Sequence, residues 1–408
     1  MTAPPHARPD TPAEDRPGGI SAARIRLGRM FRAESANYFT LLGTTVFLVV
    51  FGLIMVLSSS TVDSYIADEG FFGEFMRQGV FVLVGIPLML LVSRLPQRFW
   101  MLVAWPALAV SCGLQVLVVA TDLGVTVGGN TNWLNLFGFQ FQPSEAIKLA
   151  LVLWLGLMTT RKEQVLGEWT RGVLPILLIG GGAIGLVLLG GDLGTVMIMG
   201  GMLLGTLFLI GVRLRLLVVP VLLGAGAFAI AAVTSENRMQ RIGAFLSHTC
   251  DDYINSCWQT EHGTFALANG GVFGVGLGNS TAKWSWLPAA DNDFIFAIIG
   301  EELGLIGAVV VLGLLVVLAI AFARIMRHAP TMFGRTVTAA MLVWVIGQAC
   351  VNIGVVLGVF PVLGVPLPLV SSGGTALLTT LVGIGVVLSV AREAAPAPAR
   401  QRKRATAR

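Results

Sequence analysis

The chain alternates between long apolar stretches and short polar segments. Ten stretches are long enough to cross the roughly 30 Å hydrocarbon core of a bilayer as helices. They are predicted over residues 38–60, 78–95, 99–121, 143–160, 173–190, 192–211, 216–234, 293–323, 336–358 and 367–391. Apolar runs of this length with few charges are typical of transmembrane helices. The pattern therefore predicts an all-α integral membrane protein with ten transmembrane helices.

Polar segments flank and divide the apolar region. Residues 1–37 and 393–408 are rich in Pro, Ala and Arg and are predicted to be disordered basic tails around a membrane domain, 38–392. Two connecting loops are long, at 122–142 and 235–292. The second joins the seventh and eighth predicted spans and is too long for a simple connector, so we expect it to carry function.

Composition and charge support a membrane location. Of the 408 residues, 55% are hydrophobic and only 12% are charged, whereas a soluble domain has about 25% charged residues. Most of the 27 Lys and Arg residues lie in the tails and in loops on one side. This bias places both termini in the cytoplasm and the 235–292 loop outside. The net charge of +5 thus reflects membrane topology, and no nucleic-acid partner is expected.

Charged residues inside the predicted spans need a physical reason, because burying a charge in a membrane is costly. Glu145 and Lys148 stand three residues apart at the outer part of the fourth span, so they share one helix face. A structural ion pair and a role in substrate binding both remain open for them.

Other polar residues in the spans favour structural roles. Asp192 opens the sixth span, where an N-cap is the simpler interpretation. Glu301 and Glu302 are expected to belong to a buried polar network, because adjacent residues point to different helix faces. Gln348 and Asn352 are i,i+4 neighbours and are expected to form interhelical hydrogen bonds.

Asp293 lies where the long outer loop enters the eighth predicted span. A carboxylate at this depth would be partly shielded from water, which raises its pKa towards a value suitable for a general base. An N-cap is the alternative, since Asp is favoured at that position. The position alone does not separate the two roles.

Two cysteines fall in the same outer loop. Cys250 and Cys257 are seven residues apart in an oxidising compartment, which favours a disulfide between them. His248 and His262 flank the pair, but the spacing matches no usual zinc ligand pattern. We therefore predict the disulfide and no metal site here.

Three stretches, 142–148, 266–304 and 361–374, together resemble the SEDS proteins (shape, elongation, division and sporulation). The resemblance covers about residues 38–392 and implies a ten-helix fold that polymerises peptidoglycan glycan strands from lipid II. It places the family's essential loop aspartate on Asp293. The subfamily features favour the division branch over the elongation branch.

The resemblance also suggests how the reaction proceeds. Asp293 would deprotonate the sugar hydroxyl of one lipid II as it attacks the anomeric carbon of the donor, with inversion. Cationic side chains or a divalent cation, Mg²⁺ or Mn²⁺, would stabilise the leaving pyrophosphate. The predicted substrate-binding residues match family positions or carry positive charge in the outer loop: Glu145, Lys148, Lys283, Ser371, Arg238 and Arg241.

The implied partners are lipid II, a class B penicillin-binding transpeptidase, other division proteins and membrane lipid, at the division septum of the bacterial plasma membrane. Three alternatives compete with this interpretation: a lipid II flippase, an elongation-branch glycosyltransferase and a non-catalytic scaffold for a transpeptidase. A flippase would use charges at mid-membrane depth. Asp293 and Lys283 instead lie at the predicted outer face, which favours chemistry outside the cell.

The sequence departs from the family pattern at three positions. The run Gly129-Asn130-Thr131-Asn132 before the first-loop Trp133 lacks the Arg that is usual in this loop, so the resemblance does not extend to an anion contact there. Gly191 replaces the Pro before Asp192, and Ser372 replaces the Tyr before Gly373. None of the three removes the proposed base.

Overall fold

The fold is taken from a computed structural model. It describes residues 35–66, 70–127, 130–136, 139–234, 239, 241–243, 245, 258–284 and 287–394. The stretch Ala36–Ala394 forms one compact unit. Arg238, His248, Cys250 and Cys257 lie outside the described residues, so the predicted disulfide and the role of Arg238 stay predictions.

The described elements are mainly helices. The helices are α1 Ala36–Ile66, α2 Gly73–Val92, α3 Gln97–Ala120, α4 Pro143–Arg161, α5 Leu174–Leu189, α6 Leu193–Leu209, α7 Leu214–Val233, α8 Trp258–Gly270, α9 Ile295–His328, α10 Met332–Val356 and α11 Gly374–Glu393. A 3₁₀ turn, Glu163–Val165, and a π turn, Trp169–Val173, connect α4 to α5.

Eight helical segments in the described part are long and apolar enough to cross a membrane. They are α1, α2, α3, α7, α9, α10, α11 and Trp169–Leu189, which contains α5. Two more helices lie at predicted spans: α6 has only 17 residues, and α4 carries Glu145 and Lys148. The prediction of a helical, multi-pass membrane protein is thus confirmed.

The last predicted span began too early. We predicted a helix from residue 367, whereas α11 begins at Gly374. Pro366 and Pro368 explain the delay, because proline lacks an amide hydrogen and disfavours helical geometry in the residue before it. Leu369 also has a φ of +68°, outside the helical region. The connection before α11 therefore comprises residues 357–373, which reach neighbouring loops.

The first long outer loop contains a small sheet, so the all-α prediction was wrong there. Strands β1 Gly124–Val127, β2 Asn130–Leu136 and β3 Phe139–Phe141 form an antiparallel sheet in that order. Trp133 pairs with Val125 and Leu134 with Phe141. The strands are short and not strictly alternating, which is why the sequence did not reveal them.

Helix α4 lies at the centre of the unit, and nearly all of its residues are buried. It packs against α3 on one side and α10 on another. Trp154 of α4 and Trp344 of α10 are among the largest fully buried side chains. By contrast, most of α7 is exposed, as expected for a helix that faces lipid. The central position of α4 places its two charges inside protein.

Helix α9 is interrupted at Gly304, which has φ 68° and ψ −166°. A Cβ atom there would lie 2.4 Å from both the Gly274 nitrogen and the Val272 oxygen. The outer loop after α8 thus crosses α9 at a point that only glycine allows. This crossing anchors the loop that leads towards Asp293.

Replacing Gly304 with alanine should therefore destabilise the protein by about 1–3 kcal/mol, because the backbone is in the left-handed region and the space is filled. Gly313→Ala is the matched control, since a Cβ there meets nothing within 4 Å. It should leave stability within about 1 kcal/mol of wild type or raise it. Thermal unfolding in detergent measures both, and equal melting temperatures would contradict the assigned crossing.

Candidate active site

A cavity of about 400 Å³ opens among the ends of several elements. Its wall combines apolar residues with charged and amide side chains. The polar and charged residues that line it include Asn130, Asn132, Gln142, Glu145, Lys148, Asp192, Arg241, Gln259, Asn292, Asp293 and Gln348. The structure thus brings Asp293, Arg241 and the pair Glu145 and Lys148 together from three separate regions of the sequence.

Asp293 lies two residues before α9. The N-cap of α9 is Phe294, and no side chain caps this helix. The N-cap alternative for Asp293 was therefore wrong. Its Oδ1 atom is buried and has no hydrogen-bond partner within the described residues. A carboxylate oxygen that lines a cavity and receives no hydrogen bond from the protein is suited to accept a proton from a bound molecule.

The surroundings of Asp293 raise the pKa of its carboxyl group to about 7. Burial is the largest cause, because a poorly solvated carboxylate is disfavoured. The negative charges of Asp291 and Asp192 raise the pKa further, while Arg241 lowers it. Near neutral pH the carboxyl group is therefore protonated in some molecules and deprotonated in others, which suits a general base.

Glu145 and Lys148 form an ion pair in the cavity wall. The Lys148 Nζ atom lies 2.8 Å from Glu145 Oε1, and each side chain is only 3% exposed. Lys148 also donates to Gln348 Oε1 at 3.2 Å and lies 4.9 Å from the centre of the Trp344 ring. The pair is thus both a structural contact between α4 and α10 and a charged surface facing the cavity.

Asp192 caps α6, as predicted. Its Oδ1 atom accepts a hydrogen bond from the Thr195 amide at 2.9 Å, and Oδ2 accepts from Gln142 Nε2 at 3.3 Å. Gly191 before it has a φ of +87°, which the proline usual in the family cannot adopt. This departure gives the α5–α6 turn its own backbone path beside the cavity.

Lys283 does not line this cavity. It borders a second, mainly apolar cavity of about 550 Å³ near the end of α1. Its Nζ atom donates to the Gly278 carbonyl and lies 3.7 Å from Glu302 Oε1. Ser58 of α1 donates to both oxygens of Glu302, at 2.6 and 2.8 Å. In this structure Lys283 therefore belongs to a network that joins the outer loop to α1 and α9.

The predicted polar network around the two glutamates is confirmed. Glu301 accepts hydrogen bonds from Asn269 Nδ2 at 2.9 Å, from the Thr281 hydroxyl at 2.7 Å and from the hydroxyl of Ser280. One carboxylate thus holds two separate parts of the outer loop. The network explains why the loop is well packed on α9 although it is rich in glycine.

Ser371 also lies outside the cavity lining. Its hydroxyl donates to the Asn292 carbonyl at 2.6 Å and accepts from the Leu367 amide at 2.8 Å. Its side chain is therefore used to join two loops. Substrate contact by Ser371 stays a prediction.

The sequence analysis missed several cavity residues. Asn130, Asn132 and Trp133 reach the cavity from strand β2, and Gly364 reaches it from the connection before α11. The missing Arg in the loop before Trp133 was noted from the sequence, but it did not indicate that this segment borders the cavity. The amides give this wall neutral hydrogen-bonding groups.

A metal site is not preformed in the described part of the chain. Groups of three or more His, Cys, Asp or Glu side chains suited to a metal are absent there. Magnesium is often held by one or two carboxylates together with substrate phosphates. The expectation of Mg²⁺ or Mn²⁺ therefore stays a prediction, and no step below depends on a metal.

The fold and the cavity define a multi-pass membrane protein with a charged, polar cavity among its helix ends. The family model described as "Cell cycle protein", which covers FtsW, RodA and SpoVE, matches residues 39–395. The chain therefore belongs to this family, the SEDS family that the sequence resembles.

Similar proteins are known by sequence and by structure. "Probable peptidoglycan glycosyltransferase FtsW" of Mycobacterium tuberculosis is 36% identical over 381 residues, covering 93% of this chain and 72% of that protein. Thermus thermophilus RodA has a TM-score of 0.63 and 26% identity, covering 88% and 98% of the two chains. A chain from "Structural coordination of polymerization and crosslinking by a peptidoglycan synthase complex" has a TM-score of 0.68 and 26% identity, covering 87% and 97%.

The buried ion pair gives a stability prediction. Lys148→Met leaves the Glu145 carboxylate buried without its partner and should destabilise the protein by about 3–5 kcal/mol. The double variant Glu145→Gln, Lys148→Met removes both charges and should recover much of that loss. Thermal unfolding in detergent of Lys148→Met, Glu145→Gln and the double variant tests this. Additive losses would show that the pair is not coupled.

Proposed function

We propose that this protein is a peptidoglycan glycosyltransferase that polymerises lipid II into glycan strands. The observation that carries the proposal is Asp293, a buried carboxylate with a pKa of about 7 and a free oxygen in a polar cavity. Similarity over most of the chain to a protein named as a probable peptidoglycan glycosyltransferase supports it.

Asp293 acts as the general base. It removes the proton from the GlcNAc 4-hydroxyl of the acceptor while that oxygen forms a bond to the anomeric carbon of the donor. The bond from that carbon to the pyrophosphate oxygen breaks, and the anomeric centre inverts. A single base suffices for this displacement, because no covalent glycosyl intermediate has to form.

The pyrophosphate gains negative charge as it leaves, so cations in the cavity stabilise the transition state. Lys148 and Arg241 line the same cavity as Asp293 and serve this role. Glu145 holds the Lys148 ammonium in place from 2.8 Å. The polyprenyl chain stays in the bilayer beside the helices, since its transfer into water would be costly.

The proposal includes the finer topology and the cellular setting. Ten helices span the plasma membrane with both termini in the cytoplasm, so the cavity faces outwards, where the bias of Lys and Arg places it. A class B penicillin-binding transpeptidase assembles with the protein, and division proteins recruit both to the septum. Similarity to a chain from a peptidoglycan synthase complex supports the partner.

Asp293→Asn tests the base. Asparagine keeps the size of the side chain but cannot accept the proton as a carboxylate does, so polymerisation should fall by about 10²–10⁴-fold. The measurement is lipid II polymerisation by purified protein with its cognate transpeptidase. Asp291→Asn, the same change two residues away, is the control and should keep polymerising.

Equal polymer from wild type and Asp293→Asn would remove Asp293 from the mechanism. No polymer from wild type, even with Mg²⁺ or Mn²⁺ present, would favour a flippase or a scaffold. Transport of lipid II between leaflets of a vesicle would then separate these two.

The raised pKa of Asp293 predicts the pH dependence. The base must be deprotonated, so the rate should rise about tenfold per unit below pH 7 and level off above it. Asp192→Asn keeps a good helix cap but removes a negative charge that raises the pKa of Asp293. The rising limb of the pH profile, which is the range where the rate increases with pH, should then move to lower pH. An unchanged pH profile would mean that the limb reports another group.

A further inference from the structure

The main chain beside Asp293 is held at three successive carbonyl groups. The Ser372 amide donates to the Asp291 carbonyl at 2.9 Å. The Ser371 hydroxyl donates to the Asn292 carbonyl at 2.6 Å. Asn352 Nδ2 donates to the Asp293 carbonyl at 2.7 Å. Two of the donors come from the connection before α11 and the third from α10.

Asn352 differs from the other two donors because its side chain bonds to two carbonyl groups. Its amide group has two hydrogens, and the second is donated to the Val365 carbonyl, also at 2.7 Å. The side chain is 1% exposed. One carboxamide thus joins α10 both to the loop that carries Asp293 and to the connection before α11.

We propose that Asn352 is a positioning residue for the Asp293 carboxylate. The proposal rests on the function proposed above and deepens it, because it names what fixes the base. Asn352 does not line the cavity, so it acts on the reaction through the main chain of Asp293.

The need for such a residue follows from the carboxylate itself. Its Oδ1 atom has no hydrogen-bond partner in the described part of the chain, so side-chain hydrogen bonding does not fix that oxygen. Hydrogen bonds to the main chain are then what limits its position relative to a bound sugar. A displacement of about 1 Å can cost 10²-fold in rate.

The connection before α11 is itself held from behind by α2. Gln78 Nε2 donates to the Ser371 carbonyl at 3.3 Å, and the Gly373 amide donates to Gln78 Oε1 at 3.2 Å. The Ser372 hydroxyl donates to Glu74 Oε1 at 2.7 Å. The donors that hold the Asp293 loop therefore either belong to α10 or are hydrogen-bonded to α2.

Several charged groups face Asp293. Asp291 lies on the same loop, Asp192 at the start of α6 and Arg241 on the segment after α7. Glu145 and Lys148 of α4 line the same cavity. Neither Asn352 nor its hydrogen bonds carry charge. A shift in the pH profile on changing Asn352 would therefore report a change in the position or hydration of Asp293.

Asn352→Leu tests the proposal, because leucine is similar in size and donates no hydrogen bond. The assay is lipid II polymerisation by the full-length protein with its transpeptidase, measured as kcat, KM and pH profile. We expect kcat to fall about 10–100-fold with KM unchanged. The rising limb should move to lower pH, since a displaced carboxylate is better hydrated.

Two further variants complete the test. Thr336→Val on α10 is the matched control: it removes the 2.8 Å hydrogen bond to Thr159, another buried interhelical contact, far along the helix from the site. It should leave kcat and the pH limb unchanged. Ser371→Ala removes the contact to the Asn292 carbonyl and should move the limb in the same direction, which also decides the question if Asn352→Leu does not fold.

The outcomes separate this proposal from the function on which it rests. Wild-type kinetics in Asn352→Leu, or a loss of kcat with an unmoved pH limb, would overturn the positioning role while the glycosyltransferase stands. An equal loss in Thr336→Val would reduce Asn352 to a packing residue. No polymer from wild type would overturn the proposed function, and the positioning role with it.

Discussion

The site depends on keeping one carboxylate poorly solvated and yet fixed in position. Burial disfavours the charged form of Asp293 and raises its pKa to about 7. Hydrogen bonds to its side chain would fix the carboxylate but would also lower that pKa. The structure holds the main chain instead, through Asn352, Ser371 and the Ser372 amide. The carboxylate is therefore restrained through its main chain without being stabilised in its charged form.

The central helices α4 and α10 keep the other charges of the cavity wall paired. Lys148 and Glu145 neutralise each other at 2.8 Å within protein, where a lone charge would be costly. Gln348 receives a hydrogen bond from Lys148 and donates one to the Pro366 carbonyl at 2.9 Å. Helix α4 is thereby tied to α10 and to the connection before α11. The part of the cavity wall built by α4 and α10 thus consists of paired polar groups, which keeps its charges in place.

Loop contacts at the helix ends also restrict the segment that leads to Asp293. The Glu301 network and the crossing at Gly304 secure the loop after α8 to α9. Glu302, Lys283 and Ser58 connect the same loop to α1. A long loop with many glycines keeps one conformation only when such contacts restrict it. The buried glutamates therefore serve the site indirectly, by limiting the paths open to the loop.

Apolar length and i,i+3 spacing are local properties, so the membrane helices and the shared helix face of Glu145 and Lys148 could be predicted from the sequence alone. Which polar groups share the cavity, by contrast, depends on how distant parts of the chain pack together. Lys283 was predicted beside the pyrophosphate but lies in another cavity, and Asn352 was expected only to join helices. Both outcomes depend on contacts between residues distant in sequence, such as Asn352 with Asp293, whose geometry no local pattern encodes.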